Sequence, residues 1–528
     1  MILSPRQYGV PHDSWRTSQL DAFNKIAQLH GAGGGAVFAE LPTGSGKSGV
    51  ATALGFFDNV TILTSTLSLL DQYAAQYNVA IIKGRQEYRC VLQHKVDDWK
   101  RKYKITPTAH DCHFVPMQRC PSAAQCPYLQ AKYKALHSQR MACSYKYASL
   151  SHSIRERSGI LVFDECDTSV REMVSHAEML ITHDLCGEWG LDLPPAFPDG
   201  ILAADQRTTI TQWLDKSLRS IPNPSPSDES QHAARTARII RKLDRTAEAI
   251  QEGAWFVGNI IKDGSAALVL RPLQVFSIVE KMMHNKTTLL CMSATIGNPE
   301  PLAQQLGLSL YQQHTYPHPV PMQYRPVYCL PAPRMTKTNL TASPNGYNAQ
   351  GVLLARFLKY FPKDFRGIVL TSSHDKAQRL RTQLQRSFNG RIIEPQGAML
   401  ERLDGFMKST APGAILVDTI QGFGHGIDLY GDLGRFVAVA GVPFDNPTEP
   451  YIKAQHELDG GKFGMWCAYN AVVQACGRVT RGEKKEDGSW LYNAGILVDG
   501  SANTARAQMY YPNWFIEAMC SNSTPCGW

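Results

Sequence analysis

The run Glu40-Leu41-Pro42-Thr43-Gly44-Ser45-Gly46-Lys47-Ser48 brings together the residue types that phosphate chemistry needs. Glycines let backbone N–H groups turn inward around phosphate oxygens, and the start of a following helix favours negative charge. Pro42, Thr43, Gly44, Ser45 and Gly46 form the cradle, Lys47 reaches for the β and γ phosphates, and the Ser48 hydroxyl is a ligand for Mg²⁺. The strict pattern has Gly at position 41, where this chain has Leu. Such a loop needs an acidic partner at the end of another strand. Leu161-Val162-Phe163-Asp164-Glu165-Cys166-Asp167 supplies one: Asp164 to hold Mg²⁺ through water, Glu165 to orient or deprotonate an attacking water. Together they point to ATP hydrolysis. The glycines at 31 and 33–35 end a helical pattern ahead of the strand and read as a helix stop.

A second set of reactive side chains lies at Cys90, Cys112, Cys120 and Cys126. Four thiolates can hold a four-iron cluster or a structural zinc. Zinc sites usually pair cysteines two to four apart; here the gaps are twenty-one, seven and five residues, which suits an iron–sulfur cluster better. Cys143 sits in an apolar run and reads as core. Residues 83–146 also hold thirteen Lys or Arg against four Asp or Glu, a balance of +9 in a chain whose net charge is +8. A block of that size reads as a polyanion-binding surface. Within it, Trp99, Lys100, Arg101 and Tyr128 interleave rings with cations, as single-strand binding requires.

The elements that must position these groups are short, continuously apolar runs, each followed by a helical pattern. They are 36–40, 60–65, 159–164 and 288–293 in the first half, then 367–372, 413–418, 436–440 and 494–499 in the second. Runs that do not alternate suit parallel strands buried on both faces. The expected fold is α/β, with two open parallel sheets, the first interrupted twice. Residues 1–82, 147–167 and 271–321 are assigned to the first sheet domain, 83–146 to the cysteine insertion, 168–270 to a helical insertion, and 322–528 to the second domain. The polar stretch 222–230 reads as a loop, and 322–347 as the crossing between sheets.

Met292-Ser293-Ala294-Thr295 resembles the coupling motif of superfamily 2 helicases, and Gln474-Ala475-Cys476-Gly477-Arg478-Val479-Thr480-Arg481 matches their sixth motif. Arginines three apart on a helix share a face, where Arg478 and Arg481 can meet the γ-phosphate held by the other domain. The order of motifs and insertions resembles the XPD/DinG family of iron–sulfur helicases over nearly the whole chain. That resemblance implies two RecA-like motor domains, an iron–sulfur insertion and an Arch-like insertion. It makes Arg16 and Gln19 the adenine-recognising residues, and Thr64 and Thr66 of Thr64-Ser65-Thr66 grips on the strand's phosphates. Gly424-His425-Gly426-Ile427-Asp428 resembles the fifth motif, with His425 for the usual Glu, and brings Asp428 to the nucleotide. The family's Asp-Glu-Ala-His is Asp-Glu-Cys-Asp here, which leaves the coupling role of Asp167 open. It further implies 5′→3′ translocation on single-stranded DNA, unwinding of forked DNA, and a monomer.

Composition fits this frame. Apolar residues make up 43% and charged residues 19% of 528, as in a globular rather than a disordered chain. No run approaches the ~18 apolar residues of a membrane span, and the first residues lack a signal-peptide layout, so a cytoplasmic location is expected. Two other readings fit the same motifs: an RNA helicase or remodeller, and a nucleic-acid-binding ATP switch that does not unwind.

Overall fold

The computed structural model describes residues 4–112, 117–223, 225, 230–335, 346–394, 396–423, 429, 431–479, 484 and 487–520. In chain order the first eleven strands are β1 (Gly35–Glu40), β2 (Val60–Thr64), β3 (Ala80–Ile82), β4 (Arg140–Ser144), β5 (Gly159–Asp164), β6 (Met179–Thr182), β7 (Gly200–Ile201), β8 (Trp255–Lys262), β9 (Ser265–Pro272), β10 (Lys286–Ser293) and β11 (Gln312–Thr315). The rest are β12 (Val327–Cys329), β13 (Gly367–Thr371), β14 (Ile392–Ile393), β15 (Ile415–Thr419), β16 (Phe436–Val439), β17 (Ala494–Leu497) and β18 (Met519–Cys520).

Two sheets of seven parallel strands form the frame. The first runs β11-β1-β10-β5-β2-β4-β3 and the second β14-β15-β13-β16-β17-β12-β18. Every residue of β2, β5, β13, β15, β16 and β17 is buried. Helices therefore cover both faces, and the runs are apolar throughout rather than alternating. All eight runs picked out in the sequence are strands, with ends shifted by at most two residues.

Three expectations need correction. The insertion at 168–270 is not purely helical: β6, β9, β8 and β7 make a four-stranded antiparallel sheet. Helices Ala204–Ser220 and Gln231–Ala249 pack on it around Trp213, Leu214, Leu243, Trp255 and Leu270. The cysteine insertion ends before residue 146, because β4 belongs to the first sheet, pairing with β2 and β3. The crossing between sheets lies at 316–326, between β11 and β12, so it begins and ends earlier than 322–347.

Candidate active site

The phosphate loop leaves β1 with Leu41 N bonded to Ser293 O of β10 (2.9 Å), so it starts from paired backbone. Gly44 and Gly46 adopt left-handed conformations (φ +83° and +89°), which L side chains rarely adopt. A Cβ on Gly46 would also lie 2.8 Å from the Gln19 amide. That amide donates to Gly46 O (3.1 Å) and its Oε1 accepts from Arg16 N (3.4 Å), which ties both predicted adenine-side residues to the loop. Lys47 Nζ donates to Leu41 O (3.2 Å) at the start of helix Lys47–Ala53. Pro42 is buried and serves the turn. The Ser45 hydroxyl is buried without a hydrogen-bond partner, an arrangement that fits a bound polar group.

These residues open onto a cleft of about 650 Å³ between the two halves. Arg16, Gln19, Thr43, Gly44, Gly46, Lys47, Ser48, Asp164, Glu165, Ser293 and Thr295 line one side, and Gln474, Gly477, Arg478 and Trp514 the other. Arg481 and Asp428, with the motif at 424–428, lie outside the described residues.

Asp164 ends β5 wholly buried. Burial pushes its carboxyl up to about 6, Glu165 adds to the shift, and Lys47 and a hydrogen bond from Tyr73 oppose it. Tyr73 OH donates to Asp164 Oδ2 at 2.7 Å, while Tyr145 OH donates to the Asp164 carbonyl at 3.0 Å. Glu165 is a non-glycine residue in the left-handed region (φ +53°), a conformation costing on the order of 1 kcal/mol or more. Its carboxylate accepts from Ser65 Oγ (2.9 Å), next to the predicted strand-gripping threonines.

Asp167 stands where the family pattern has His, and it joins the two halves. Its Oδ1 accepts from Ser293 Oγ (2.5 Å) and its Oδ2 from Gln474 Nε2 (2.5 Å), and Gln474 also donates to Thr295 Oγ1 (3.1 Å). Burial pushes the Asp167 carboxyl up to about 6. The loop after Thr295 is held from both sides. Trp514 Nε1 donates to Ala294 O (3.0 Å) and Trp466 Nε1 to Ile296 O (2.9 Å), while Glu40 Oε2 accepts from Gly297 N (2.6 Å). Tyr73, Ser65, Glu40, Trp466 and Trp514 were not picked out in the sequence. Glu40 and Ser65 sit inside motifs quoted for their neighbours, whereas Tyr73, Trp466 and Trp514 belong to no local pattern and reach the site from distant elements.

The candidate nucleic-acid residues divide. Trp99 (2% exposed) and Tyr128 (3%) are buried, so neither ring is open to stack on a base. Helix Gln93–Tyr103 turns Lys95, Val96 and Trp99 inward, with Lys95 Nζ over the Trp99 ring at 5.1 Å. Tyr128 OH meets Tyr147 OH at 2.9 Å. Thr64 is likewise buried, its hydroxyl donating to Thr66 O (3.2 Å), and Thr66 caps the next helix by accepting from Leu69 N. Lys100 and Arg101 are exposed, Arg101 paired with Asp98 at 2.7 Å.

A basic row absent from the sequence reading lies on helix Gln231–Ala249: Arg235, Arg238, Arg241, Lys242 and Arg245. Their spacing of three and four was the available signal. Burial lowers the affinity of Arg241 for its proton, and Arg85, Arg245 and Arg238 lower it further. Arg238 reaches the cysteine insertion, meeting His110 Nε2 at 3.0 Å and Asp111 at 3.9 Å, so the two insertions touch.

Cys90, Cys112, Cys120 and Cys126 are all partly buried. Burial pushes the Cys90 thiol up, with Cys120 and Cys126 close enough to add to the shift. Among the described residues no group of three or more His, Cys, Asp or Glu side chains is drawn together as a metal site. Cys143 is fully buried in β4, its thiol pushed up to about 12 by burial. No helix among the described residues is long and apolar enough to cross a membrane.

Comparison with known proteins places this architecture. Residues 357–518 match the family model of the helicase C-terminal domain. A solved structure titled as an XPD helicase aligns with 97% of this chain and 100% of its own, at TM-score 0.61 and 14% identity. S. tokodaii Xpd4 aligns with 96% and 100%, at TM-score 0.58 and 14% identity. A structure titled as apo XPD aligns with 95% and 100%, at 0.53 and 13%. No curated protein sequence matches the chain.

Proposed function

Because the chain has the fold of the XPD helicases and a helicase C-terminal domain in its second half, we propose that it is an ATP-driven helicase. It moves 5′→3′ on single-stranded DNA and unwinds forked duplex, as a cytoplasmic monomer. The observation that carries this reading is the Asp167 junction. It bonds the helix after Asp164–Glu165 to Gln474 of the second half, one turn from Arg478, across the cleft that Lys47 lines. A change at the phosphates is thereby felt between the halves.

In this reading ATP is the substrate, with its adenine at Gln19 and Arg16 and its phosphates in the loop at 42–48. Ser48 and Asp164 would hold Mg²⁺, which when bound neutralises phosphate charge. Lys47 pairs with the transferred phosphate and Glu165 orients the attacking water. Arg478 approaches from the other half, and the motifs alone assign Arg481 and Asp428 to the nucleotide. Cys90, Cys112, Cys120 and Cys126 would hold an iron–sulfur cluster that braces the insertion. Their partial burial supports that reading. The exposed Lys100 and Arg101 and the row from Arg235 to Arg245 give the strand's phosphates a cationic path.

The test is ATP hydrolysis with and without single strands of DNA and of RNA. Stimulation by DNA, abolished in Lys47→Ala, is expected. Equal rates with and without any strand would favour an ATP switch, and stimulation by RNA alone an RNA remodeller.

A further inference from the structure

Two helices face each other across the cleft: Cys166–Ala177 from the first half and Lys462–Gly477 from the second. Residues four apart on a helix share a face. Asp167 and Arg171 are such a pair on the first helix, and Gln474 and Asn470 on the second. Nearest the phosphate loop the helices are joined, Gln474 to Asp167 at 2.5 Å. One turn further from the loop they are not. There a cavity of about 430 Å³ opens between them, lined by Arg171, Asn470, Asp445, Cys467 and Trp466.

Asn470 is only 6% exposed, yet neither its Oδ1 nor its Nδ2 has a hydrogen-bond partner. A buried amide with both ends unmet destabilises the state that contains it. The groups it lacks stand across the cavity. Arg171 offers only donors, as Oδ1 requires, and the Asp445 carboxylate only acceptors, as Nδ2 requires. Arg171 lies close enough to Asp445 to act on its charge.

We propose that Asn470 is a positioning residue of the motor, unbonded in this arrangement of the halves and bonded when the cleft shuts further. On closure Arg171 donates to Asn470 Oδ1 and Asn470 Nδ2 donates to Asp445, adding a second rung to the Asp167–Gln474 bond. Groups bonded in only one of two states bias the equilibrium toward it, so the rung favours the closed, hydrolysing form. The inference rests on the ATP-motor reading.

The test uses the full chain and two readouts, strand-stimulated ATP hydrolysis and thermal melting without nucleotide. Asn470→Leu keeps the branched shape and the number of heavy atoms and removes both unmet atoms. Its Tm should rise by about 2–4 °C, while kcat falls about tenfold and KM for ATP stays within about twofold, as expected for bonds made only on closure. Arg171→Gln, at an exposed position, should lower kcat similarly, and the double variant should be no slower than either single one. An unchanged kcat in Asn470→Leu, a lowered Tm, or losses that multiply in the double variant would overturn the proposal. Absence of strand-stimulated hydrolysis in the unaltered protein would instead overturn the motor reading, and this inference with it.

Discussion

Asp164 and Asp167 are asked to do opposite things by their surroundings. Burial raises both carboxyls from 3.8 to about 6, yet in the proposed reaction Asp164 must be ionised to hold Mg²⁺ and Asp167 to accept from Ser293 and Gln474 together. The value of kcat/KM for ATP should therefore fall as pH drops through about 6, which a pH–rate profile of the free enzyme reads directly. The stability linkage has the other sign. A carboxyl raised on folding stabilises the fold most when protonated, below its ordinary value near 4, and that contribution is lost as pH rises through about 6. Tyr73 holds the Asp164 value down, so Tyr73→Phe should move the acid limb to higher pH, and an unmoved limb would exclude that role. Arg478→Ala should lower kcat by roughly 10³–10⁵ if it meets the transferred phosphate; single-turnover hydrolysis is the check.

At the scale of elements, the central strands were legible because burial on both faces demands unbroken apolar runs. β11 (Gln-Gln-His-Thr) is a polar edge strand, and β3 has only three residues, so neither carries such a signal. The insertion's own sheet was missed because β8 is buried over its first four residues and exposed over its last four, a pattern that neither alternates nor runs apolar throughout. Local motifs named the cleft: all of Lys47, Ser48, Asp164, Glu165, Gln474 and Arg478 line it. What no motif could show was contact between distant elements, as at Tyr73 and Glu40, or the unmet buried amide of Asn470. Trp99 and Tyr128 failed for the converse reason. A ring among lysines looks like a stacking platform until the helix turns it inward. The cysteine insertion gives its own test. Anaerobically purified protein should be brown with about four irons per chain. Substituting Cys90, Cys112, Cys120 or Cys126 should bleach it and substituting Cys143 should not; iron-free protein with stoichiometric zinc would contradict the cluster.

For the whole molecule, two seven-stranded sheets joined at Asp167–Gln474 share one cleft, with both insertions rising from the first half and touching at Arg238–His110. Binding to single strands should weaken steeply with salt, with log K falling by about 0.7 per phosphate contact for each unit of log salt, measurable by anisotropy. In the proposed mechanism nucleotide turnover drives directed movement along a strand. Such movement is tested most directly by displacement of a labelled strand from DNA duplexes bearing a 5′ or a 3′ single-stranded tail, with ATP and Mg²⁺. Displacement from the 5′-tailed duplex and little from the other is expected. No displacement from either, with hydrolysis indifferent to the strand, would contradict the mechanism.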